Sequence, residues 1–156
     1  MAEGKTYNGN YCEYDFEVTF LEKLVEAGWT YMSGKAMNSV AKDEVVYADD
    51  LLTFLKNTNP ELTVDEIGTI YDKVRLVGGS SEFATLHNVY NLMVDGMQFI
   101  PHDGNAKMVQ LIDFEHPEEN IFRVVNQYSV EYINNGQRKT RRPDILLFVN
   151  GLPLCI

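Results

Sequence analysis

At 156 residues, with 45% hydrophobic and 23% charged residues, the chain has the size and composition of one folded unit rather than of a disordered segment. Its formal net charge of −10 argues against a general nucleic-acid binder that coats phosphates with lysine and arginine. No apolar run approaches the roughly 18 residues a membrane span needs, and the opening MAEGKTYNGNY lacks an apolar signal core, so a cytoplasmic chain without a membrane partner is expected. Cys12 and Cys155 lie far apart, with neither the density of a disulfide scaffold nor the spacing of a zinc site, and both read as reduced thiols.

Helices come first. Over 11–27, Phe16, Phe20, Leu24 and Val25 recur at helical spacing beside Glu13, Glu17, Glu22 and Lys23, and Gly28 supplies the stop. A second helix fits 43–55, with Val46, Leu51, Phe54 and Leu55 as core residues before Asn59-Pro60 ends it. Thr63-Val-Asp-Glu66 is a capping-box pattern and opens a helix carrying Ile67, Ile70, Tyr71 and Val74. After the Gly78-Gly79 connection, a fourth helix is expected over 81–95, with Phe83, Leu86, Tyr90 and Met93 spaced for burial and Gly96 as its stop.

Beyond Pro101 the apolar period shifts towards two, which predicts strands over 107–114 and 122–133, with a turn at Asn134-Asn-Gly136. A third strand is expected over 144–149. Asn150-Gly151 is a two-residue hairpin signal, because both residues accept positive φ, and it leads into a strand over 152–156. The expected class is therefore α+β: a helical part over 11–97, then a β-rich part over 107–156, within a single unit and with no evident linker.

The hairpin pairs Val149 with Leu152 and so sets Asp144 opposite position 157, one past Ile156. A charged residue heading an apolar strand has two explanations. It sits solvated at the strand mouth or paired with Arg141 or Arg142, or it binds a divalent metal, since Mg²⁺ takes one or two carboxylates and lets phosphate and water complete its shell. Arg138, Lys139, Arg141 and Arg142 are four of the 13 basic residues, which leaves nine basic against 22 acidic residues over 1–137. By composition the run 137–142 is a solvated turn; beside Asp144, it is also placed to hold a phosphate backbone. Asn126 and Gln127 read equally as DNA contacts or as polar positions on a half-solvated sheet.

Other chemistries are weaker. Ser33-Gly-Lys-Ala36 fails as an ATP-binding loop, with Trp29 at the first glycine position and Ala36 at the hydroxyl position. His87, His102 and His116 lack zinc-ligand spacing. Ser80-Ser81 has no nucleophile-elbow context and fits a helix cap better.

The segment Arg142-Pro-Asp-Ile-Leu-Leu-Phe-Val-Asn-Gly-Leu-Pro-Leu154 closely resembles the signature of type I restriction-enzyme restriction subunits, where this hairpin is followed by Glu-x-Lys. Asp113-Phe-Glu-His-Pro-Glu-Glu-Asn-Ile-Phe-Arg-Val-Val-Asn-Gln-Tyr128 is similar to the stretch that precedes it there, while Glu17 through Gly28-Trp29 and Asn59-Pro60-Glu-Leu62 look like earlier parts of that domain. The resemblance implies a PD-(D/E)xK nuclease domain with an α/β core, of which the 156 residues would form the part that precedes the Glu-x-Lys. Asp144 matches the metal-binding and catalytic Asp, and Glu17 corresponds to an acid on the opening helix that joins some such sites. It also implies Mg²⁺-dependent cleavage of duplex DNA, with ATP used only by the full-length subunit and with methylation and specificity subunits as partners. Arg138, Lys139, Arg141 and Arg142 would then steer phosphate, and the chain by itself is expected to be inactive. The rival function is a docking module for the other subunits, with the nuclease site unused.

Overall fold

The computed structural model describes residues 13–37, 45–134 and 136–155. Helix α1 (Glu13–Glu26) ends as its sequence dictates. Gly28 adopts φ 95°, its N–H bonds to the Val25 carbonyl, and the Trp29 N–H bonds to the Leu24 carbonyl, closing a Schellman motif. That turn delivers Trp29 onto the Phe122 ring, with centroids 5.2 Å apart, and leads directly into strand β1 (Thr30–Ser33). The apolar pattern does not predict a strand between the first two helices. It exists because it pairs in parallel with β4 (Phe122–Asn126), far later in the chain, through Thr30↔Arg123 to Ser33↔Asn126.

A four-residue helix α2 (Gly34–Met37) follows, then α3 (Ala48–Thr58), α4 (Val64–Arg75) and α5 (Glu82–Asp95). Helix α3 starts later than the expected 43–55; positions 43 and 44 lie outside the described residues, as do Cys12 and the Cys155 side chain. Local capping chemistry sets the later boundaries. The Thr63 hydroxyl accepts the Glu66 N–H, the Glu66 carboxylate accepts the Thr63 N–H, and Ser81 caps α5 by accepting the Ala84 N–H. Leu51, Leu55, Ile67, Ile70 and Val74 from α3 and α4 form the main core with Val109, Leu111, Val149 and Leu152. Full burial of each such aliphatic side chain stabilises the fold by roughly 1.5–3 kcal/mol.

Two helices turn differently from expectation. Phe83, Leu86 and Tyr90 of α5 are 80%, 68% and 62% exposed, whereas Met93, the fourth residue expected inside, packs half-buried against the core together with Leu92. On α1, Phe16, Phe20 and Val25 are exposed, and only Leu24 of the four expected apolar positions joins Glu17, Val18 and Leu21 on the half-buried face. Both helices carry apolar residues on more than one side, so periodicity alone leaves their rotation undetermined. No described helix is long and apolar enough to cross a membrane.

The main sheet has the order β1-β4-β7-β8, with β7 (Ile145–Val149) antiparallel to both β4 and β8 (Leu152–Cys155). The expected strand over 107–114 shortens to β3 (Lys107–Val109), which pairs with β2 (Met97–Phe99). The expected strand over 122–133 is two strands. Gln127, at φ 55°, ends β4, and β5 (Val130–Asn134) leaves the main sheet to pair with β6 (Gln137–Arg141). The basic run is therefore largely a strand rather than a turn.

The turn at Asn150-Gly151 has φ 51° and 76° and pairs Val149 with Leu152 as expected. It is also buried. The fully buried Asn150 amide donates to the Leu111 carbonyl (2.9 Å) and to Asn120 Oδ1 (2.7 Å), and its Oδ1 accepts the Ile121 N–H (2.7 Å). Asn120 in turn clamps Asp113 by accepting its N–H and donating to its carbonyl. Gly151 accepts the Tyr47 N–H through its carbonyl, and a Cβ there would overlap the Tyr47 carbonyl oxygen.

Replacing Asn150 with Gly keeps the positive φ but strands the Ile121 N–H and Leu111 carbonyl. Each buried unpaired group costs about 1–3 kcal/mol, so Asn150→Gly should lose about 3 kcal/mol in urea denaturation; a loss below about 1 kcal/mol would contradict the clamp. A second outcome concerns pH. The amides of His102 and Thr63 and the Thr63 hydroxyl all donate to Glu66, holding its pKa at about 2 instead of the usual 4.5. A depressed carboxylate pKa stabilises the fold above the unfolded value, and that contribution fades as pH falls from 4.5 towards 2. Glu66→Gln should thus be destabilising near neutrality and progressively less so below pH 4.5. A pH-independent difference between the two proteins would refute this origin.

Candidate active site

The candidate site lies at the end of the main sheet where β4 stops and β7 begins. Asp144 immediately precedes β7, and its carbonyl accepts the Gln127 N–H at 2.9 Å, continuing the ladder past Asn126↔Ile145. Its side chain is exposed. Of the two arrangements expected for a strand-mouth acid, solvated or paired with Arg141 or Arg142, the structure shows the solvated one. Arg142 instead donates to Gln127 Oε1, and Arg141 lies over the Tyr132 ring, 5.5 Å from its centroid.

Glu17 reaches the same place from α1. Its Oε1 accepts from Asn126 Nδ2 at 3.1 Å and its Oε2 from Gln127 Nε2 at 3.3 Å. Asn126 is oriented from its other side by the Tyr31 hydroxyl, which donates to Oδ1 at 2.9 Å. Glu17, through its carboxylate, and Asp144, through its main-chain carbonyl, thus bond to the same Asn126-Gln127 pair from distant parts of the sequence. The two amides serve as supports for Glu17, a role that polarity alone did not reveal; their consecutive placement at the end of an apolar strand was the available signal. Tyr31 carried none, because its role depends on the parallel β1–β4 register.

Gly34 belongs to this end of the sheet as well. A Cβ on it would lie 2.6 Å from the Asn126 and Gln127 carbonyl oxygens, so the chain from β1 into α2 closes against the turn only with glycine here. The glycine of Ser33-Gly-Lys-Ala36 serves this close packing.

The four basic residues separate. Strand alternation puts Lys139 and Arg141 on the face shared with Tyr132, and Arg138 on the opposite face, where it pairs with Glu131 at 3.1 Å. Arg142 lies beyond the strand, on the Gln127 side. All four are exposed. The hairpin register also needs one correction: an irregularity between Leu147 and Phe148 pairs Leu147 with Cys155, so the same register extended would set Asp144 opposite position 158 instead of 157.

Behind the site, Asp50 on α3 makes a bidentate ion pair with Arg123 on β4, at 2.6 and 2.7 Å, with side chains only 7% and 13% exposed. The Arg123 guanidinium also stacks 5.0 Å from the Tyr47 ring centroid, and the Asp50 carboxylate raises its pKa further above the ordinary value. This pair locks the helical layer to the strand that ends at the site. Two hollows of about 460 and 510 Å³ lie elsewhere, around Glu66–His102 and around Asp113–His116, and neither is lined by Asp144 or Glu17.

As a donor set, exposed Asp144 and half-buried Glu17 offer hard carboxylate oxygens at an open strand end, which suits Mg²⁺ better than a thiophilic metal. Among the described residues no three His, Cys, Asp or Glu side chains converge to hold an ion, so these two acids would need water, phosphate or further residues to complete a shell.

Comparison with known proteins agrees with the sequence pattern. The family described as type I restriction enzyme R protein N terminus matches residues 10–156. The chain is 30% identical over 152 residues to a putative type I restriction enzyme MjaIXP endonuclease subunit of Methanocaldococcus jannaschii. It is also 30% identical over 154 residues to the type I restriction enzyme HindI endonuclease subunit of Haemophilus influenzae. Each alignment covers 92% of this chain but only 14% of the relative. With a match across nearly its whole length, the chain belongs to the family of type I restriction enzyme R protein N termini.

Proposed function

We propose that this chain provides the metal-binding acid and DNA-facing surface of a PD-(D/E)xK nuclease domain, which cleaves duplex DNA within an ATP-driven type I restriction complex. The observation that carries the proposal is that the Glu17 carboxylate and the Asp144 main chain both bond to the Asn126-Gln127 pair, at the end of the sheet where the Asp144 side chain stays exposed. Asp144 would be the principal metal ligand, with Glu17 nearby as a ligand or as the acceptor for a metal-bound water.

Bound Mg²⁺ would supply charge stabilisation at the phosphate and lower the pKa of the attacking water. The chain's own residues supply position. Gln127 and Asn126 hold Glu17, and the backbone bond from Gln127 to Asp144 fixes the strand mouth. Arg142 beside them, with Lys139 and Arg141 on one face of the β5–β6 hairpin, would engage the phosphate backbone, which positions DNA without reading its sequence. Arg138, facing Glu131, would contribute least. ATP hydrolysis would be carried by other parts of the subunit, and methylation and specificity subunits would be its partners.

A docking module is the second reading. It is favoured by the exposed Phe83, Leu86 and Tyr90 on α5 and Phe16 and Phe20 on α1, apolar surfaces of the kind that other subunits cover. The two are separated by one titration. In the complete subunit, Asp144→Ala should weaken Mg²⁺ binding measured by calorimetry by more than about 10-fold, since a direct ligand counts for at least as much as the outer-shell partners whose loss costs about 10- to 100-fold. DNA cleavage by the assembled complex should fall with it. Unchanged Mg²⁺ binding in a folded variant would exclude Asp144 as a ligand and leave the docking module.

A further inference from the structure

We infer that Gln127 is a positioning residue for the metal site, coupling the Glu17 carboxylate to Asp144 and Arg142; the inference rests on the nuclease reading above. Gln127 touches all three. Its Nε2 donates to Glu17 Oε2 at 3.3 Å, its Oε1 accepts from Arg142, and its backbone N–H donates to the Asp144 carbonyl at 2.9 Å. One residue thereby connects helix α1, the basic segment and the head of β7.

Its backbone supplies the second observation. Gln127 has φ 55°, and the only other described non-glycine residue with positive φ is Asn150. Asparagine visits this region readily and glutamine does so less. A glycine would adopt it without strain, so the conformation alone does not call for glutamine. Held there, residue 127 keeps its amide on the Asp144 carbonyl while its side chain lies between Glu17 and Arg142. Gly34 adds a further constraint, since a Cβ on it would come within 2.6 Å of the Gln127 carbonyl. Local strain and a glycine-only contact therefore meet at the residue that bonds to the Glu17 carboxylate and to the Asp144 main chain, the kind of place where strain is retained for a site.

The amide has a specific chemical use. By donating to one Glu17 oxygen while Asn126 donates to the other, it fixes the carboxylate's plane. By accepting from Arg142, it holds that guanidinium at the same sheet end. A carboxamide provides a donor and an acceptor at once; a glutamate at 127 would provide only acceptors and would repel Glu17.

The test uses the complete subunit, with Mg²⁺ affinity by calorimetry and the thermal midpoint measured in parallel. Gln127→Gly removes the side chain and relieves the backbone. The expected result is a loss of about 10-fold in Mg²⁺ affinity with a midpoint unchanged or raised, and little further loss when the same change is made in a Glu17→Ala background. A purely structural residue would lose stability and affinity together, and that result overturns the role. Unchanged affinity in Gln127→Gly, in a protein whose Asp144→Ala variant loses it, also overturns it while leaving the metal site standing. If Asp144→Ala leaves Mg²⁺ binding intact, the metal site itself fails and this role fails with it.

Discussion

The burial of one asparagine side chain organises the sheet on which the site depends. Asn150 occupies a turn with positive φ, and its amide satisfies a backbone N–H, a backbone carbonyl and the Asn120 side chain within the protein. Hairpin turns usually face water; this one is enclosed by the 111–121 segment and the residues that enter α3. Val149 and Leu152, on either side of it, belong to the main core, while Phe148 belongs to the second cluster with Tyr47, Tyr128 and Leu146. The turn is therefore where the two cores meet, and a polar group is tolerated there because its hydrogen-bonding capacity is used.

From that clamp the geometry runs outward along β7. Antiparallel pairing with β4 carries the register from Phe122↔Val149 to Asn126↔Ile145, and the Gln127–Asp144 backbone bond extends it one step further. The Asp50–Arg123 pair holds β4 against the helical layer within this run. Such a buried pair adds little net stability compared with apolar residues of similar size, but its bidentate geometry admits few alternative registers. Asp144 is exposed in the bend that leads into β7, tied to the sheet by its carbonyl's bond with the Gln127 N–H.

Much of this was legible where the chemistry is local. The ends of α1, α4 and α5 follow from Gly28, Thr63 with Glu66, Ser81 and Gly96, because capping depends on residues a few positions apart. The Asn150-Gly151 turn was equally readable, although its burial was not, since the partners lie near residues 47, 111 and 120. Strand β1 was hidden because four residues of mixed character become a strand only by pairing with β4. The exposed faces of α1 and α5 were not readable because Phe83, Leu86 and Tyr90 compete with Val89, Leu92 and Met93 for the core, and only packing decides. At the site, Asp144 stood out as a charge at the head of an apolar strand. Glu17 entered only by resemblance, and the hydrogen bonds that bring it to Asn126 and Gln127 span 109 and 110 positions of sequence.

The most direct measurement is a crystal structure of the complete subunit grown with Mn²⁺ in place of Mg²⁺, with the metal located by its anomalous scattering. A metal peak within bonding distance of the Asp144 carboxylate is the expected result. An ordered sheet end with no metal there at saturating Mn²⁺, or a metal held only by other residues, would contradict the assignment of this strand mouth as the nuclease centre.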